Sequence, residues 1–148
     1  MTGKASRAKG SRKEREVAKL LSESLGLDFQ RTPRSGADAR YPGDISADDF
    51  PYTVEIKSIK EFSWEALYDG SYALFNNWLT QSHAQSENPL LIFNIKYKGW
   101  FICQQLSGWR KISRYSGCLV YTVYNQHIIM ALDEWINTYT RWSEYDNR

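Results

Sequence analysis

Asp44, Glu55 and Lys57 are residues whose types and spacing suit chemistry. Asp44 sits in Pro42-Gly43-Asp44-Ile45, and ten residues separate it from Glu55-Ile56-Lys57. Two carboxylates converging at a hairpin make a hard, oxygen-rich site of the kind Mg²⁺ prefers, with Mn²⁺ as a substitute. On a strand, Glu55 and Lys57 project to one face and Ile56 to the other, which leaves the Ile56 carbonyl beside the metal. A cation held by Asp44, Glu55 and that carbonyl can activate water and polarise a phosphate. Lys57 can orient the water or neutralise developing charge. The plainer alternative is a solvated strand face with a Glu55–Lys57 ion pair.

Positioning these groups takes a hairpin and the elements around it. Val17, Leu20, Leu21 and Leu25 recur at helical spacing and predict a helix over 11–25. Ser11 is its expected N-cap, Glu14 the capping-box partner and Gly26 the stop. Residues 27–32 read as a strand, and 33–43 as a loop rich in Pro, Gly and Ser. Strands are expected at 44–47 and 52–59, joined by a turn at 48–51. A loop carries Phe62, Trp64 and Tyr68. A helix over 71–86 turns inward Leu74, Trp78 and either Phe75 or Leu79. Strands follow at 90–97 and 100–105, then a loop over 106–117, strands at 118–124 and 127–132, and a last helix from Asp133 to about Trp142. The order α-β-β-β-α-β-β-β-β-α predicts an α/β domain with a mixed central sheet flanked by helices.

Composition bounds the rest. The 148 residues suit one domain over 11–148, preceded by a flexible basic arm over 1–10. No apolar run is long enough to span a membrane and no secretory segment is expected. Cys103 and Cys118 are the only cysteines and lack CxxC spacing, so the expected setting is a reducing cytoplasm. Charge is uneven. Residues 1–40 hold ten Lys/Arg against five acids, while the overall net charge is only +2. A basic segment of this kind favours phosphate backbones.

Further motifs sharpen the reading. Lys9-Gly10-Ser11-Arg12-Lys13-Glu14-Arg15 opens the first helix, and Arg31-Thr32-Pro33-Arg34-Ser35-Gly36-Ala37 follows the first strand. With Asp44-Ile45 and Glu55-Ile56-Lys57, these resemble in order and spacing the archaeal-type Holliday junction resolvases of the PD-(D/E)XK nuclease superfamily, with Gly43 where Pro is more usual. The resemblance covers residues 9–60 and is only architectural beyond. It implies a restriction-endonuclease-like core, with Asp44 and Glu55 as metal ligands and Lys57 as the catalytic lysine. Glu14 would complete the metal site, the capping role being its alternative. Ser35 would assist near the scissile phosphate, or be a plain turn serine.

Lys9, Arg12, Arg15, Arg31 and Arg34 would contact DNA phosphates, with the Gly10 and Ser11 amides at a helix start as an anion site. Gln81 is a possible site residue or a solvent-facing one. Trp64, Tyr68 and Trp78 read as core, and His83 and His127 as ordinary helix and turn residues. The expected function is Mg²⁺-dependent endonucleolytic cleavage of branched DNA by a homodimer, whose face the aromatics of 62–124 could supply. The expected partner is branched or double-stranded DNA; alternatives are a nuclease of the same superfamily with another DNA substrate (a nickase, repair or replication nuclease) and a non-catalytic nucleic-acid-binding module.

Overall fold

Two alternating apolar faces build the sheet. In β4 (Pro89–Ile95), Leu90 and Ile92 point to one side, while Leu91, Phe93 and Ile95 point to the other. All five are buried, so this strand must be covered on both faces. A computed structural model describes residues 3–33, 42–117 and 120–146. It has α1 (Gly3–Leu25), β1 (Gln30–Arg31), β2 (Ile45–Ser46), β3 (Thr53–Ile59), α2 (Trp64–Asp69), α3 (Ala73–Gln85) and then β4. These are followed by β5 (Gly99–Gln105), α4 (Leu106–Ile112), a 3₁₀ turn (Ser113–Tyr115), β6 (Thr122–Tyr124), β7 (His127–Ala131) and α5 (Leu132–Tyr145).

The seven strands lie in the order β1-β2-β3-β4-β5-β7-β6. Only β3 and β4 are parallel, with Glu55 opposite Leu91 and Lys57 opposite Phe93; the other neighbours are antiparallel. One face packs against α1, α4 and α5 through Val17, Leu21, Trp109, Ile112, Trp135 and Tyr139. The other packs against α2 and α3 through Leu67, Phe75, Trp78 and Leu79. The fold is the expected mixed α/β sheet flanked by helices.

Several elements differ from the expectation. The helix expected from Ser11 begins at Gly3. Lys4, Ala5, Arg7, Ala8 and Lys9 are good helix formers, and one Gly10 costs only about 1 kcal/mol. Ser11 is therefore an interior residue and no N-cap. The Gly10 and Ser11 amides lie within the helix, not at its start, so the anion site expected there is not formed. The expected loop at 106–117 contains α4 and a 3₁₀ turn, and the loop around Trp64 contains α2. Ser63 caps α2 by accepting from the Ala66 N–H, and Gly70 closes it at φ 79°. On α3 the inward residues are Phe75, Trp78, Leu79 and Ser82, while Leu74 is 44% exposed. Cys118, the expected start of a strand, lies outside the described residues.

Candidate active site

Gly43 sets the entry to β2. Its φ is +83°, and a Cβ there would stand 2.8 Å from the Val54 carbonyl oxygen. Only glycine fits this approach, because an L side chain would be strained and would strike backbone. The close passage lets the Asp44 N–H donate to the Val54 carbonyl at 2.8 Å. The Thr32 N–H donates to the Asp44 carbonyl at 3.0 Å, and the Thr32 hydroxyl donates to the Gly43 carbonyl at 2.7 Å. The chain at Asp44 is thus fixed from both neighbouring strands.

The Asp44 carboxylate turns back onto β3. Its Oδ2 accepts from the Ile56 N–H at 2.7 Å. This brings it beside Glu55, and both side chains are buried. Burial, then the Asp44 charge, pushes the Glu55 carboxyl up to about 7, opposed by Lys57. Glu55 Oε1 is buried with no hydrogen-bond partner. An unpaired buried acceptor beside a second carboxylate is the donor set a hard divalent cation takes, so these residues fit such a metal. Among the described residues no third carboxylate, histidine or cysteine joins the pair.

Lys57, two residues after Glu55, shares its face of β3. Its Nζ donates to Gln81 Oε1 on α3 at 3.3 Å. Gln85, one helical turn further on, accepts from the Gly43 N–H at 3.0 Å. Its Oε1 is engaged there, so its amide N–H faces Glu55 and favours that carboxylate's charged form. Sequence reasoning singled out Gln81 and missed Gln85. The signal available was their i, i+4 spacing, which puts both on one flank of a helix.

Glu14 stands apart from the pair. Its Oε2 accepts from Arg31 Nε at 2.6 Å, in an ion pair bridging α1 and β1. The structure brings together Asp44, Glu55, Ile56, Lys57 and Gln81, and joins Glu14 to Arg31. Lys9, Arg12 and Arg15 line α1 with partly or fully exposed side chains. Ser35 and Arg34 lie outside the described residues. An apolar hollow of about 640 Å³, lined by Trp64, Phe101, Tyr121 and Ile129 among others, contains none of these residues.

The sequence matches the profile of a protein family. That family is described as "Phage putative PDDEXK endonuclease", and the match runs over residues 5–144. The chain belongs to this family. It is also similar to a solved structure of Hjc, a Holliday junction resolvase from Archaeoglobus fulgidus. That similarity has 14% identity and a TM-score of 0.41, and covers 86% of this chain and 87% of the other. Comparison with curated proteins finds no match.

Proposed function

We propose that the chain is a Mg²⁺-dependent, structure-specific endonuclease that hydrolyses phosphodiester bonds in branched DNA and works as a homodimer in the cytoplasm. The observation that carries this reading is the Asp44–Glu55 pair with its unpartnered Glu55 oxygen. Family membership supports the nuclease chemistry. The four motifs of residues 9–60 support the branched substrate.

Asp44 and Glu55 would hold the cation, with the Ile56 carbonyl as a further candidate, while Glu14, paired with Arg31, would reach it only if that ion pair opened. A divalent cation bound there supplies charge neutralisation at the phosphate and a lowered pKa for an attacking water. The protein's own groups do the rest. Asp44 is held rigid by the Ile56 amide, so the cradle is pre-organised. Lys57, steadied by Gln81, offers an ammonium to the phosphate or to the water. Lys9, Arg12, Arg15, Arg31 and Arg34 would grip the DNA backbone, and Ser35 would approach the scissile phosphate. Paired cuts on two strands call for two copies of one site.

A cleavage panel tests the substrate: four-way junction, flap, nicked duplex, linear duplex and single strand, each with Mg²⁺. Paired symmetric cuts confined to the junction are expected, with binding that weakens steeply as salt rises. Cleavage chiefly of a nicked or linear duplex would keep the nuclease and refute the branched substrate.

A further inference from the structure

Helix α3 reaches the active site by one flank and is held by the other. At 100° per residue, Gln81 and Gln85 lie on the side facing β3, while Asn76 and His83 lie on the side facing β6 and β7. The first flank meets Lys57 and Gly43. On the second, the Tyr124 hydroxyl donates to Asn76 Oδ1, and His83 Nε2 meets His127 Nε2 at 2.7 Å. A hollow lies between these two contacts, lined by Leu79, Thr80 and Asn125 among others.

The roles of all four imidazole nitrogens follow from their partners. His127 Nδ1 lies 2.7 Å from the Asn125 carbonyl oxygen. A carbonyl only accepts, so His127 Nδ1 carries the proton. A neutral imidazole has one N–H, so His127 Nε2 accepts and His83 Nε2 must donate. His83 Nδ1 is then an acceptor, and Gln105 Nε2 stands 3.4 Å from it. Burial of His127 holds it below the usual imidazole range, which keeps it in this neutral form. Arg110 on α4 lines the cavity on the other side of the pair, and among the described residues no carboxylate lines it. The result is a directed chain from Gln105 through His83 and His127 to Asn125, with no nitrogen left over.

We propose that His83 and His127 are positioning residues whose bond fixes α3 on the sheet, so that Gln81 and Gln85 present Lys57, Gly43 and Glu55 in working geometry. This role rests on the nuclease reading above; the hydrogen-bond chain does not. The two histidines are the only ones in the protein, so each signal in a nitrogen spectrum is assigned by one variant.

A long-range ¹H–¹⁵N spectrum at about pH 8, where imidazole is neutral, should show His127 protonated on Nδ1 and His83 on Nε2. Cleavage is measured beside it. His83→Leu should lower kcat roughly tenfold or more with KM little changed, because small misplacements of catalytic groups cost that much. His83→Gln should restore most of it, since its amide can donate to His127 and accept from Gln105. His127 protonated on Nε2 would overturn the chain and the proposal. Wild-type kcat in a folded His83→Leu variant would overturn the positioning role. Should His83→Leu fail to fold, a His83→Gln protein no more active than His83→Ala would overturn it instead. An active wild type with an unaffected His83→Leu variant refutes this inference alone. An inert wild type with the expected tautomers refutes the nuclease reading, and the positioning role with it.

Discussion

Glu55 shows what the site costs the fold. Its carboxyl is raised to about 7 by burial and by Asp44. An unfolded Glu releases its proton near about pH 4.3. Between those values the folded chain binds more protons than the unfolded one, so stability falls as pH rises through that window. Above it the penalty is fully present. Glu55→Gln removes the charge and keeps the shape. In chelator at pH 8 its melting midpoint should exceed the wild type's by several degrees, at roughly 2–4 °C per kcal/mol for a domain of this size. Near pH 4 the two should converge, and added Mg²⁺ should narrow the gap at pH 8 by stabilising the wild type alone. A thermal melt series across pH checks this; a variant no more stable at pH 8 would refute the strained pair. At this scale much was legible. A Glu and a Lys two apart on an alternating strand share a face whatever the rest of the fold does. The Glu14–Arg31 pair was not, because it joins residues 17 apart through tertiary packing.

Elements were legible where a periodic apolar pattern ran unbroken. The run from Leu90 to Phe93 and the alternation of β3 gave strands at their observed places. Punctuation misled where tertiary structure overrode it. Gly10 and Ser11 read as a helix start, yet α1 runs through both. Gly108 sits inside α4, a seven-residue helix too short to show a period. Gly10 gives α1 a direct test. A Cβ there meets nothing within 4 Å, so Gly10→Ala should stabilise the helix by about 1 kcal/mol. Amide exchange around residue 10 should slow about fivefold, because 1 kcal/mol is about that factor. A flexible arm at 1–10 would show no protection in either protein. The two glutamines of α3 were half legible. Gln81 was singled out, but the register that brings Gln85 to Gly43 depends on how α3 sits on the sheet.

Over the whole molecule, the carboxylate pair and the exposed apolar residues of the β6 edge occupy different places. Arg31 lies on β1, at the end of the sheet where Asp44 and Glu55 sit, while Lys13 of α1 stands over the Trp100 ring on β5. Exposed Tyr121 and Val123 lie at the β6 end, four strand spacings or about 19 Å from β3. Among the described residues no helix is long and apolar enough to cross a membrane. The central claim is that Asp44 and Glu55 form a metal-dependent hydrolytic centre. Its most direct test compares wild type, Asp44→Asn and Glu55→Gln on a labelled four-way junction, with Mg²⁺ and with chelator, scoring cleavage and binding together. The account predicts cutting by the wild type only with Mg²⁺. It predicts a loss of at least about 100-fold in both variants, as when a group that stabilises the transition state is removed, with junction binding retained. Cleavage at the wild-type rate by either folded variant, or by wild type in chelator, would contradict it.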